Sequence, residues 1–210
     1  MKPVHHDWEK RDLIGGHPAI DFANTISGWG EGDEDWLVGY ARFTQWACLA
    51  GFIDEAERKK TTAAAARNPF MADRVFAEAN ELRFALLRLL HAVKAGSSAK
   101  ADDLAIVNQW VKRAAEAVQL RQVGQTFQED WSGQVSVLEK PLLAAARAVG
   151  QFLVAGSFDR LKICPGHNCA WFFVDLSKNH SRRWCDMAVC GNLAKARRFQ
   201  GRRRRVPAAH

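Results

Sequence analysis

Four of the five cysteines fall in two matched pairs, Cys164-x4-Cys169 and Cys185-x4-Cys190, with fifteen residues between them. Thiolates suit a borderline-soft ion, and two short loops that each offer two sulfurs bring four ligands together at modest cost in chain entropy. The spacing therefore predicts a closed four-thiolate site for Zn2+, held by Cys164, Cys169, Cys185 and Cys190. A shell filled by protein ligands leaves no position for a reactive water, so the expected role of the ion is structural. A redox dithiol, an iron–sulfur site and free thiols are the competing readings of the same residues. His167 offers a substitute ligand, but its loop reads as exposed.

Pro165-Gly166 turns the first loop tightly, and Gly191 follows the last ligand, where a side chain would crowd N–H groups turning towards a thiolate. Trp171–Val174 reads as a strand, with Leu161–Ile163 as its hairpin partner. So small a module buries little surface alone, and the ion is expected to supply much of its folding free energy. Cys48 stands by itself in a helical pattern and reads as a small core residue.

Charge is concentrated beside these ligands. Residues 160–205 carry twelve Lys and Arg against Asp175 and Asp186, a balance of +10, while residues 1–159 are net −3. A local excess of cations is what a polyanion-binding surface requires. Asn192 to Arg205 is predicted helical, with Lys195, Arg198 and Arg202 on one face and Arg197 and Arg204 flanking it. Arg182, Arg183, Asn192, Lys195, Arg197, Arg198, Arg202, Arg203, Arg204 and Arg205 are the candidate contacts to duplex DNA, through phosphates and base edges. A solvated basic tail is the plainer alternative. Trp184 reads as a core residue of the module.

The rest of the 210-residue chain must carry or control this module. It reads as mainly α: a helical domain over residues 1–156 with a small β-hairpin, then a small four-cysteine zinc finger over 157–205 made of a β-hairpin and a basic C-terminal helix. Gly15-Gly16 and Pro18 suggest a turn before a short apolar helix or extended segment, in which His17, Asp21, Asn24 and Thr25 form either a polar ligand pocket or internal caps. Residues 28–35 read as a glycine-rich acidic loop suited to the start of the next helix. That helix is expected from Trp36, with Leu37, Tyr40, Phe43 and Ala47 inward, closing at Gly51.

Asp54 caps an alanine-rich helix ending near Arg67, and Asn68-Pro69 starts a long one with Val75, Ala79, Leu82, Leu86, Leu89, Leu90 and Val93 in one stripe. Ser98 starts another, with Leu104, Val107 and Val111 inward. A hairpin is expected over 121–133, then a last helix from Pro141 to Gly156. The N-terminus lacks the apolar core of a secretory signal and no run approaches a membrane span, so a cytoplasmic protein with no membrane partner is expected. No nucleophile elbow, phosphate loop or His-Glu zinc helix appears, and no enzyme is expected.

The run CPGHNCAWFFVDLSKNHSRRWCDMAVCGNLAKARRF, together with GGHPAIDFANTISG, closely resembles the CGNR zinc-finger family, in which the finger follows an N-terminal ABATE domain. The resemblance covers nearly the whole chain. It implies a stress-induced transcription regulator that binds DNA through the finger, beneath a mainly helical fold. The chain departs from the family at its fourth name-giving position, where arginine is replaced by Leu193. If that arginine touches DNA, a contact is lost here; if it packs, leucine serves. A scaffold for RNA or an acidic protein, and an N-terminal sensor of a small-molecule effector, are the other functions weighed. A homodimer is compatible with all three.

Overall fold

Glycines, prolines and capping side chains set where the elements of this computed structural model begin, and the model describes residues 1–30 and 34–204. The first strand, β1 (Lys2–Pro3), runs parallel to β3 (Glu34–Asp35), which pairs antiparallel with β2 (Ile26–Ser27). Between β1 and β2 lies α1 (Pro18–Ala23), capped by His17, whose Nδ1 accepts the Ala19 N–H at 3.2 Å. Helix α2 (Tyr40–Leu49) starts later than Trp36 because Gly39, at φ +86°, breaks the chain just before it. Leu37 is buried as expected, but from extended backbone.

Helix α3 (Glu55–Arg67) opens with a reciprocal cap: Asp54 accepts the Glu57 N–H at 2.7 Å, and Glu57 accepts that of Asp54 at 3.2 Å. Asn68 caps α4 (Pro69–Lys94), whose proline occupies a position where no N–H is needed. The stripe read along α4 is buried except at its end, where Val93, in the last full turn, is 44% exposed. In α5 (Ala101–Ala117) the buried face is Asp103, Val107, Trp110, Ala114 and Ala117. Leu104 lies about 100° round from Asp103 and is 41% exposed, so the inward stripe centres on Trp110 instead. Lys100, and not Ser98, occupies the cap.

The hairpin is β4 (Val118–Val123) and β5 (Thr126–Trp131), paired from Val118↔Trp131 to Val123↔Thr126 around Gly124. It starts a few residues before the expected position. Helix α6 (Lys140–Ala155) then closes the body. Helices α1, α2, α4, α5 and α6 surround a core that includes Phe22, Phe43, Trp46, Leu82, Trp110 and Phe152.

The last part of the chain is built onto this core. Strands β6 (Leu161–Ile163) and β7 (Phe172–Val174) pair antiparallel, and Leu161, Phe172 and Val174 join the same cluster as the helices. Asn24, at the C-terminal end of α1, donates to the Phe172 carbonyl at 2.8 Å and accepts the Phe172 N–H at 2.9 Å. The Val174 N–H donates to the Gly15 carbonyl at 2.8 Å. The finger therefore draws on the body's apolar burial as well as on any ion.

Removing one side chain leaves both Phe172 backbone groups buried without partners. Asn24→Ala is expected to lower unfolding free energy by about 2 kcal/mol or more, measured by urea unfolding of the metal-loaded full chain. A change within about 0.5 kcal/mol would show that the seam carries no stability.

Candidate metal centre and basic helix

Two knuckles and the start of a helix bring the four sulfurs together. The Sγ atoms of Cys164, Cys169, Cys185 and Cys190 all lie within 4.8 Å of one another, with Cys169–Cys185 at 3.4 Å and Cys185–Cys190 at 3.6 Å. A tetrahedral ion with bonds of ~2.3 Å needs sulfurs roughly 3.8 Å apart, so this donor set fits a metal ion. Cys164, Cys169 and Cys185 are buried and Cys190 is half-buried. Cys48, by contrast, is remote from them and half-buried, its thiol 3.6 Å from Glu55.

Backbone donors shape the electrostatics. Contacts from Cys169 and Cys185, helped by the Cys185 and Gly166 N–H groups, hold the Cys164 thiol far below its ordinary range. The same sharing pushes Cys169 and Cys185 above theirs, while burial raises Cys190. Four such sulfurs cannot all carry charge side by side unless a cation lies between them. The donors come from Gly166, Cys185 and, towards Cys169, Trp171. Gly191 serves another purpose: a Cβ there would collide with the Met187 thioether and meet the Trp184 ring at 3.2 Å. At Gly166 a Cβ would lie 2.9 Å from the Cys190 sulfur and 3.1 Å from the Cys169 Cβ.

The body grips the first knuckle directly. Asn168 and Ala170 have φ of +53°, turning the chain on either side of Cys169. Ser27 donates to the Asn168 carbonyl at 3.0 Å and the Gly28 N–H to the Cys169 carbonyl at 2.8 Å. The second pair is approached through a loop knotted around Asp175, which is fully buried. Lys162 Nζ donates to it at 2.5 Å and also to the His180 and Arg182 carbonyls. Burial alone would raise the Asp175 pKa, but Lys162 and Ser177 outweigh it and the carboxyl lies below its usual range.

Arg182 belongs to this framework. Its guanidinium donates to the Trp184, Ile14 and Cys185 carbonyls and lies 4.5 Å from the centre of the Phe173 ring. Arg183 is exposed and rests against Trp184, which packs on the cysteine cluster as expected. A wide turn over Met187–Gly191, opened by Asp186, leads into α7 (Asn192–Arg204). Asn192 donates to the Ala188 carbonyl at 3.1 Å, and Asn192, Lys195, Arg197 and Arg198 are exposed. Arg202, Arg203 and Arg204 fall in the last turn of α7, and Arg205 lies outside the described residues. Leu193 is 47% exposed and lines a groove of about 590 Å3 with Trp29, His167, Cys190 and Arg197.

The four polar residues near the N-terminus face separate internal partners. His17 caps α1, 5.1 Å from the Phe152 ring, and burial lowers its pKa. Asp21 accepts the Gly15 N–H at 2.7 Å, Asn24 holds Phe172, and Thr25 donates to the Phe22 carbonyl at 2.7 Å. Burial raises the Asp21 pKa to about 6 against the pull of the Gly15 and Ile14 N–H groups and of Arg182.

Two pairs escaped the sequence reading. Arg83, fully buried, donates to Asp35 at 2.8 and 2.7 Å and to Thr25 at 2.9 Å, tying β3 to α4. An arginine inside an apolar helical stripe was a visible signal; its partner, in an acidic loop read as suited to the start of the next helix, was not. The Lys162–Asp175 pair was hidden in the same way.

Residues 16–156 match the ABATE family model, described as "Putative stress-induced transcription regulator", and residues 160–203 match the CGNR zinc finger. No curated protein matches the chain.

Gly166→Ala is expected to weaken metal affinity by about ten- to a hundredfold, read by competition with a chromophoric chelator; unchanged affinity would refute the close approach. Asp21 predicts a pH effect of definite sign. Its pKa rises from about 4 unfolded to about 6 folded, so its stabilisation is complete below pH ~4 and is lost as pH rises through ~6. Asp21→Asn should remove on the order of 1 kcal/mol of the stability lost between pH 5 and 7, measured by urea midpoints of both proteins at each pH.

Proposed function

The chain belongs to the ABATE family and carries a CGNR zinc finger, and on that footing we propose that it is a zinc-dependent DNA-binding transcription regulator. The observation that carries this reading is the direct continuity between the cysteine cluster and α7, which starts two residues after Cys190 with Asn192, Lys195, Arg197 and Arg198 exposed. Cys164, Cys169, Cys185 and Cys190 would hold the ion. When bound, zinc neutralises the clustered thiolates and, with its shell closed by protein, fastens the two knuckles.

The side chains then divide the work. Lys195, Arg197 and Arg198, with Arg202, Arg203, Arg204 and Arg205 further along, neutralise phosphates, and Arg183 meets the backbone from the loop before the third ligand. Asn192 sits at the end nearest the finger. Arg182 positions the loop and makes no DNA contact in this scheme, because its donors are already engaged within the protein. Leu193, exposed on the groove beside Arg197, adds no charge at that position.

The body regulates by its hold on the finger. An effector that shifted α1 would move Asn24, and with it the strand that leads from the first knuckle. Such a protein works in the cytoplasm; among the described residues no helix is long and apolar enough to cross a membrane.

Fluorescence anisotropy with a labelled duplex tests the proposal. Affinity should fall on the order of a thousandfold or more between about 50 and 200 mM salt, disappear on chelation and return with added zinc. Arg198→Ala should lower the salt slope by about one. Binding that survives complete zinc removal, or that is indifferent to salt, would overturn it.

A further inference from the structure

A second cationic surface lies where the body meets the finger. A groove of about 500 Å3 is lined by Lys94, Lys162, Arg182, Arg183, His180 and Pro165 among others, and among the described residues no carboxylate lines it. Two of its cations are committed: Lys162 to Asp175 and Arg182 to backbone carbonyls. Lys94 and Arg183 are exposed, one from the end of α4 and the other from the finger loop.

Packing fixes Lys94 against the finger. His91, one turn earlier on α4, meets the Phe172 ring edge-on at 4.8 Å and stacks on Trp29 at 5.6 Å. The end of α4 is therefore set against β7 by aromatic contact. Ile163 and Pro165 line both this groove and the one that contains His167 and Arg197. The two grooves meet over the first knuckle, and exposed cations stand at both ends: Lys94 and Arg183 at one, Arg197 of α7 at the other.

We propose that this seam is a phosphate track, and that the helical body contributes a backbone contact of its own through Lys94 to the nucleic acid held by α7. A concave surface lined by one sign of charge concentrates the opposite sign, and phosphate contacts of this kind fix the register of a protein on DNA without reading sequence. The inference rests on the DNA-binding reading above and extends it: the body is part of the interface as well as its support. A strand crossing the knuckle is engaged on both sides, which orients α7 along the duplex.

The test uses zinc-loaded full-length protein and a labelled duplex, titrated over a salt series. Lys94→Ala should lower the slope of log affinity against log salt by about one, equally on two unrelated duplexes, while Lys59→Ala on α3 leaves it unchanged. Lys94→Arg should restore the slope, and zinc content per chain should be the same in every variant. If Lys94→Ala keeps wild-type affinity and slope while Arg198→Ala loses both, the track is wrong and the DNA-binding reading stands. If the wild type shows no salt-dependent binding to any duplex, the underlying reading fails, and the track with it.

Discussion

The arrangement depends on one side chain. Asn24 offers a donor and an acceptor in the geometry of a neighbouring strand, and β7 uses both through Phe172. A buried strand edge must find partners for its N–H and C=O groups, and here a helix end supplies them in place of another strand. Around that pair, Gly15 takes the Val174 N–H, and Ser27 and Gly28 hold the carbonyls of the first knuckle. The first pair of clustered cysteines thus takes its placement from residues about 140 positions earlier in the sequence.

Charge partners are arranged with the same economy. The cations nearest the ligands are used within the protein: Lys162 on a fully buried aspartate, Arg182 on three carbonyls and an aromatic face. Arginine suits the second role because its planar fork can serve several acceptors while its face lies on a ring. Other cations stay exposed, among them Lys195, Arg197 and Arg198 on α7, Arg183 and Lys94. Net charge by segment therefore overstates the cations free to meet solvent, since it counts both kinds alike.

Much of this was legible in the residues. Cysteine spacing declared the cluster, and capping signals at Asp54 and Asn68-Pro69 declared helix starts, because both depend on neighbours in sequence. The hairpins were visible for the same reason. What stayed hidden was whatever required knowing which distant elements touch. Asp35 reads as part of an acidic loop before a helix until Arg83 is placed over it, and Asp175 as one charge in a segment's balance until Lys162 closes on it. His17, Asp21, Asn24 and Thr25 stand out in the sequence as polar residues in an apolar run, open to reading as a ligand pocket or as internal caps. Their partners, spread from α1 itself to Phe172, were beyond the reach of local pattern.

The bond between Asn24 and Phe172 spans 148 positions of sequence, and this bears on how the molecule comes into being. A ribosome delivers the helical part first, with α1 already synthesised and its strand partner still to come. Until β7 emerges, Asn24 and the apolar surface that receives Leu161, Phe172 and Val174 have no native cover from that side. Contacts closed over so long a loop form late and slowly. The finger thus arrives after the helical body and covers it, so the body without the finger leaves part of its apolar core open.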